Sequence, residues 1–419
     1  MLNLKIDYIN KIKNFFFPFY KNKDLQFVFG QLKSDRPSQT KGAMFVGGCV
    51  RKYLSNEIID DIDIATSLTT NQIKNKFKDT KFNVIDTGIK HGTVTLVSEK
   101  LKLELTTLRK DIKTDGRHAE IEYTDDWHED SKRRDFTINA IYLDINGKIF
   151  DPQLGVNDLR NKKVKFIGDP QKRIEEDYLR IIRFIRFSLE YISQIELKTI
   201  DAIKLNVDGV KKIAKERILI ELFKILRTSN FIKLNDNKYL KDIFLLVFPE
   251  LTHLERLSQL DIIPEKKYSN KEILLSVLLI DETNNHEYFS HKYNVSNNLK
   301  DNLNLIAKNF MRIRKEKNFF SKDLQKNIYF FGKKHLENLN LLYFSSNKKI
   351  KLKDYLQVTK NINKLAVPKF PYNGNYLKKK GMTEGTSIGK ILELIENDWL
   401  KNDFKISDQR VLEIIENKK

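Results

Sequence analysis

The chain has 419 residues, 40% of them hydrophobic, with 76 Lys and Arg against 56 Asp and Glu and a formal charge of +20. That length excludes a single core, which rarely grows past roughly 250 residues. The positive excess sets up a field that attracts polyanions, although an AT-rich genome also enriches Asn, Ile and Lys. A lone cysteine, Cys49, excludes an internal disulfide and agrees with a reducing, cytoplasmic compartment. No run of about 20 apolar residues occurs, so no membrane-spanning helix is expected.

The first segment, Leu2 to Tyr20, mixes Lys5, Asp7, Lys11 and Lys13 with apolar residues, and Phe15 to Phe19 is too short and too aromatic for a signal-peptide core. It reads as an amphipathic helix within an N-terminal region of residues 1–30. Ala43 to Val46 reads as a buried strand, Gly47-Gly48 as a tight turn, and Cys49 to Leu54 as the start of a helix. Such a strand-turn-helix aims free backbone N–H groups at a phosphate, and Cys49 beside the turn suits a small buried side chain. Asp61-Ile62-Asp63 follows. On a strand, the period of two places both aspartates on one face, where their repulsion asks for a divalent cation between them. A phosphate cradle followed by a metal-binding acid pair suggests nucleotidyl transfer.

Short β-rich runs then alternate with helical ones: Val84–Asp86, Thr93–Val97, Leu101–Thr107, Ala140–Leu143 and Lys148–Phe150, giving an α+β head with a small mixed sheet over residues 31–165. Glu104 alternates with Leu101, Leu103 and Leu105 and points to the opposite face. Arg109 to Asp130 shows little periodicity and reads as a polar, mobile loop. Arg133-Arg134-Asp135 places two guanidinium groups and one acid ahead of a hydrophobic segment, a set that can neutralise a triphosphate while the acid accepts from a ribose hydroxyl.

A helix is expected from about Gln171 to Ser188, with Ile174, Tyr178, Ile181, Ile182, Ile185 and Leu189 as its apolar stripe. Asp177 and Arg180, three apart, would be surface neighbours on it. They form either a solvated ion pair or an acceptor-then-donor edge. The latter matches cytosine and adenine and mismatches uracil and guanine, at about 1–3 kcal/mol per buried unpaired group. Residues 166–235 form a helical neck in this reading, and residues 236–419 a lysine-rich helical body and tail. There Ile273–Ile280 reads as a buried helix, Asn297–Phe331 as an amphipathic basic stretch, and the glycines before Lys390 as a helix start suited to sugar-phosphate contact.

Phe45-Val46-Gly47-Gly48-Cys49-Val50-Arg51 with Asp61-Ile62-Asp63-Ile64-Ala65-Thr66 resembles the first motif of the class II tRNA nucleotidyltransferases, the CCA-adding enzymes, and of their poly(A) polymerase relatives. Arg133-Arg134-Asp135-Phe136-Thr137-Ile138-Asn139-Ala140 matches the family's second motif. Asp151-Pro152-Gln153-Leu154-Gly155 with Asp158-Leu159, Glu176-Asp177-Tyr178-Leu179-Arg180 and Ala214 to Leu226 are similar to later ones. Thr87 to Val94 resembles the CCA-adding version of its segment more than the poly(A) polymerase version.

The resemblance implies a polymerase-β-like head with helical neck, body and tail, adding C, C and A to tRNA 3′ ends from CTP and ATP without a nucleic acid template. It implies Mg²⁺ on Asp61 and Asp63 with Glu104 beside them as the third catalytic acid. Nucleotide contacts would come from Gly48, Arg51, Arg134, Asp135, Asp177, Arg180, Arg183 and Arg186, and the body and tail would hold the acceptor and TΨC arms of tRNA. It also gives the 109–130 segment a part in the switch from C to A addition. One departure is Lys52, where the family commonly has Asp. A poly(A) polymerase and a non-catalytic RNA-binding module remain as alternatives.

Overall fold

The computed structural model describes residues 14, 16, 18–33, 42–115, 118–264, 271–382 and 386–417. It divides in sequence between Pro249 and Glu250 into two compact units.

The first unit opens with helix α1 (Lys23–Gln31), which starts at Asn22, whose side chain accepts from the N–H groups of Asp24 and Leu25. Leu25, Val28 and Phe29 form its buried face, and the Phe29 ring centroid lies 4.5 Å from that of Phe45. Most of the expected Leu2–Tyr20 helix lies outside the described residues.

Nine strands follow among the described residues: β1 (Ala43–Val46), β2 (Ile62–Thr66), β3 (Asn83–Gly88), β4 (Thr93–Val97), β5 (Lys102–Thr107), β6 (Arg109–Asp115), β7 (His118–Tyr123), β8 (Tyr142–Leu143) and β9 (Ile149–Phe150). Seven form one mixed sheet in the order β3-β4-β5-β2-β1-β8-β9, while β6 and β7 form a separate two-stranded ribbon. Within the sheet only β2 and β5 run parallel, and their register sets Asp63 opposite Glu104. The expected α+β architecture is the observed one.

The segment read as a loop at 109–130 is instead the β6-β7 ribbon, with Asp115 opposite His118, followed by a helix. An Asp-Gly pair at 115–116 is a known hairpin signal. The ribbon was hard to see because polar residues dominate both strands and leave almost no alternation of apolar side chains.

Helices pack around the sheet: α2 (Gly48–Leu54), α3 (Thr70–Phe77), α4 (Trp127–Lys132) and α5 (Gly155–Arg160). The start of α3 is a reciprocal cap, Gln72 N–H donating to Thr69 Oγ1 and Thr69 N–H to Gln72 Oε1. The neck comprises α6 (Pro170–Glu176), α7 (Leu179–Tyr191), α8 (Leu197–Asn206) and α9 (Lys215–Arg227), and α10 (Lys238–Val247) follows it within the same unit.

The single helix expected from Gln171 to Ser188 is therefore two. Asp177 is extended (φ −155°, ψ 105°) and ends α6, and its carboxylate accepts the first N–H of α7, from Leu179, at 3.1 Å. Tyr178 holds the break. Its ring presses on Gly209 so closely that a β-carbon there would stand 2.1 Å from Tyr178 Cδ1, which only glycine avoids. The apolar periodicity survives the break, because Ile174 and then Ile181, Ile182, Ile185 and Leu189 are all buried.

The second unit is helical throughout its described elements. Helix Lys271–Leu279 buries every side chain from Ile273 to Leu279, as its unbroken apolar run requires. The 297–331 stretch is parts of two helices, Asn297–Lys315 and Leu324–Ser346. Near the end, helices Gly374–Lys379, Thr386–Lys401 and Asp408–Glu416 share a small core of Leu377, Ile391, Ile395, Val411 and Ile415. Part of the glycine-rich stretch before them, residues 383–385, lies outside the described residues. Among the described residues no helix is long and apolar enough to cross a membrane.

Candidate active site

The site begins at the β1-α2 turn. Gly47 takes φ +72°, a conformation that side chains with a β-carbon rarely adopt, and a β-carbon there would lie 3.7 Å from Asp63 Oδ2. The turn thus runs directly over the acid of β2. Cys49 is fully buried beneath it, with Sγ 3.3 Å from the Val46 carbonyl and 3.6 Å from the Asp63 carbonyl. Burial pushes its thiol up to about 12, which leaves it without nucleophilic character at neutral pH.

A cleft of about 940 Å³ opens at this turn. Its walls carry eleven Lys and Arg side chains against six Asp and Glu, so it suits a polyanion. Gly48, Arg51, Asp61, Asp63, Arg134, Asp135, Asp177, Arg180, Arg183 and Arg186 all line it. Glu104 does not. It is exposed on β5, in register with Asp63.

At the acid end, Asp61 is exposed and Asp63 partly buried. Burial, followed by repulsion from Glu104 and Asp61, pushes the Asp63 carboxyl up to about 6 against the pull of Arg134 and Arg51. Negative charge is thus held here with too little compensation, which fits a cation. The donors are hard carboxylate oxygens. Among the described residues no group of three His, Cys, Asp or Glu is gathered tightly enough to enclose an ion. A pair leaving its other positions to water and phosphate oxygens fits magnesium, which sheds water reluctantly, better than a fully enclosing calcium or zinc cage. Lys52 pairs with Asp60 at the rim.

The opposite wall is built from arginines fixed by buried acceptors. Asp130, fully buried on α4, accepts from Arg133 Nε at 2.9 Å, from Arg134 Nη2 at 3.1 Å and from the Tyr142 hydroxyl at 2.7 Å. Burial opposes its ionisation, but Arg134 and Arg133 hold the carboxyl well below the usual carboxylate range. Asp135 is likewise held low against burial, chiefly by Arg183, whose Nε lies 2.7 Å from Oδ2, and by Asn139, whose amide donates to Oδ1 at 2.6 Å. Oδ1 also accepts the Phe136 N–H at 2.9 Å, so Oδ2 retains room for one more donor. Arg51 donates to Asn139 and to the Tyr191 hydroxyl, the latter at 3.1 Å.

The acid and arginine of the neck do not pair with each other, contrary to the expectation of surface neighbours on one helix. Asp177 Oδ2 accepts from Arg217 of α9 at 2.9 Å. Arg180 of α7 is buried and donates to Glu176 and, at 2.6 Å, to the carbonyl of Arg173. The break at Asp177 separates them, yet both face the cleft. Arg186 and Arg183 are steadied by Glu221 of α9, at 2.8 Å and 4.0 Å.

Asp130, Asn139, Arg217 and Phe187 were not among the expected residues, whereas Arg133, the other guanidinium expected for a triphosphate, does line the cleft. Asp130 was legible in principle, since it stands three and four residues before Arg133 and Arg134, the spacing of helical ion pairs. It was hidden by the loop reading. Phe187 gave no signal, being one more apolar residue of α7. In the fold it lies 4.8, 5.7 and 4.1 Å from the guanidinium carbons of Arg51, Arg183 and Arg186.

Residues 43–165 match the family model described as "Poly A polymerase head domain", and residues 194–254 the one described as "Probable RNA and SrmB- binding site of polymerase A". The CCA tRNA nucleotidyltransferase 1, mitochondrial, of Danio rerio is 33% identical over 375 residues, covering 87% of this chain and 85% of its own. The CCA-adding enzyme of Lactococcus lactis is 33% identical over 377 residues, covering 87% and 90%. Among solved structures, the Bacillus stearothermophilus CCA-adding enzyme in complex with CTP shares the fold with a TM-score of 0.71 at 23% identity, over 94% of this chain and 98% of that one. The Thermotoga maritima CCA-adding enzyme complexed with tRNA does so with a TM-score of 0.63 at 21% identity, over 95% and 96%. With an acid pair, an arginine wall and a neck acid and arginine opening on one cleft, and with relatives of this identity along most of its length, the chain belongs to the CCA tRNA nucleotidyltransferase family.

Proposed function

We propose that this protein is a CCA tRNA nucleotidyltransferase, adding C, C and A to the 3′ end of tRNA from CTP and ATP and releasing pyrophosphate. The observation that carries this reading is the single cleft on which carboxylates, arginines and the Asp177 and Arg180 side chains converge. Its volume lies within the roughly 300–1,000 Å³ usual for ligand sites.

Asp61 and Asp63 would hold Mg²⁺, with Glu104 adding negative charge beside them. An ion bound there would supply Lewis-acid polarisation of the α-phosphate and a lowered pKa for the tRNA 3′-hydroxyl. Gly48, Arg51 and Arg134 hold the triphosphate, so the charge that develops on departing pyrophosphate meets fixed guanidinium groups. Asp135 accepts from a ribose hydroxyl through the capacity left on Oδ2. Asp177 accepts from, and Arg180 donates to, the base edge. Arg180 has Nε–H and one Nη2–H beyond the bonds it makes within the protein, and each Asp177 oxygen keeps a free lone pair. Arg183 and Arg186 support that wall.

The division of labour is a head (31–165), a neck reading the base (166–235) and a body and tail holding the acceptor and TΨC arms of tRNA (236–419). The compartment we assign is the cytoplasm, on the strength of the single reduced cysteine.

The test offers tRNA lacking CCA, tRNA ending in CC, and an unstructured oligonucleotide, each with one nucleotide at a time, and sequences the ends. CTP should extend the first and ATP the second, with the oligonucleotide untouched. Incorporation of CTP alone narrows the activity to CC addition. Tailing of the oligonucleotide with ATP makes the protein a poly(A) polymerase, and no incorporation at all leaves an RNA-binding module.

A further inference from the structure

Arg173 lies on α6, outside every contact assigned above to nucleotide. It is 9% exposed, and its guanidinium reaches in two directions. Nη2 donates to the carbonyls of Arg133 and Arg134, both at 2.6 Å. Nη1 donates to Glu176, which also accepts from Arg180. The Arg173 carbonyl accepts from Arg180 at 2.6 Å, and the Arg133 carbonyl, already held by Arg173, lies 3.4 Å from Arg180 Nη2. One side chain therefore ties the backbone immediately before Asp135 to the group that carries Arg180. A planar fork spans the two directions, whereas a single ammonium reaches one of them. Arg173 Nε is buried without a partner among the described residues, so the side chain is held for where its two Nη groups reach and not for full hydrogen bonding.

We infer that Arg173 is a positioning residue that couples the choice of sugar at Asp135 to the choice of base at Arg180, so that one strut sets both selectivities. The inference rests on the roles given above to Asp135 and Arg180. Glu176 belongs to only one arm. Its loss removes the side-chain acceptor of Arg180, leaving that guanidinium on backbone carbonyls, but keeps the Arg133 and Arg134 carbonyls in the grip of Arg173.

The experiment measures two ratios of kcat/KM on the full-length protein with tRNA: CTP against UTP for base choice, and CTP against dCTP for sugar choice. Arg173→Lys should lower both by about tenfold, the scale of a repositioned charged hydrogen bond. Glu176→Gln should lower the base ratio and leave the sugar ratio in place. Arg173→Gln serves as a second variant, and thermal melting of each checks that it is folded. A strut with a purely structural role would lower melting temperature or kcat and leave both ratios unchanged, which overturns the inference. Arg180→Ala and Asp135→Asn are run alongside. If they alter base choice and sugar choice respectively while Arg173→Lys alters neither, the coupling is wrong and the site assignment stands. If Arg180→Ala keeps base choice and Asp135→Asn keeps sugar choice, the assignment itself falls.

Discussion

Two groups of aspartates in one head domain stand in opposite electrical situations. Asp61 and Asp63 look into the cleft with Glu104 on the next strand, and burial and mutual repulsion push Asp63 up to about 6. Asp130 and Asp135 are more deeply buried, yet facing arginines hold both well below the ordinary range. Burial acts the same way in both groups, so the neighbours decide the sign. Acids supplied with guanidinium partners fix the arginines that line the cleft. Acids denied partners keep an unmet demand for positive charge, which is what a cation site needs before its ion arrives.

The contrast can be probed with four substitutions. The largest expected effect is from Asp63→Ala, which should lower nucleotide incorporation by about 10³-fold while tRNA binding in a gel-shift assay persists. Full turnover in that variant would remove the cation site. Next is Asp130→Asn, which strands Arg133 and Arg134 and should cost about 3 kcal/mol in urea unfolding at pH 7. Because the folded Asp130 carboxyl is depressed, its contribution is complete above the unfolded value near 4 and fades as pH falls toward the folded one. The penalty should therefore shrink at pH 3, and an equal penalty at both pH values would contradict the pairing.

Third, Phe187→Leu removes the ring on which Arg51, Arg183 and Arg186 rest. It should raise KM for CTP and ATP alike by about five- to tenfold, leaving kcat and base choice alone. A rise for one nucleotide only would place the ring at the base instead. The smallest effect is expected from Asp63→Asn without divalent metal. Relief of the burial penalty on the charge and of its repulsion should stabilise the protein by about 1 kcal/mol at pH 7, read in EDTA, where a loss of stability would show Asp63 to be paired after all.

Much of this arrangement was readable along the chain because its signals are local. The β1 and β2 strands, the Gly47-Gly48 turn and the second aspartate two residues after the first are short-range patterns of period two, and the apolar stripe of α7 is one of period 3.6. Ten of the eleven expected site residues line the cleft for that reason, each belonging to a compact motif. The β6-β7 ribbon escaped because its polar strands have almost no apolar alternation to detect. The break at Asp177 escaped because Tyr178 fits the helical stripe equally well, while the extended Asp177 backbone and the close approach of Tyr178 to Gly209 exist only in the folded chain.

Residue order alone settled the mixed sheet, the helical remainder, the positive balance and the kinds of side chain brought to the cleft. These follow from backbone periodicity and from charge, which each short segment carries within itself. Tertiary structure decided the pairings: Asp177 with Arg217, 40 residues away, and Asp135 with Arg183, 48 away. A carboxylate accepts from whichever guanidinium the packing of separate segments brings to it. The eventual charge of Asp63 was likewise fixed only when the head brought Glu104 of β5, Arg134 and Arg51 of α2 to its side.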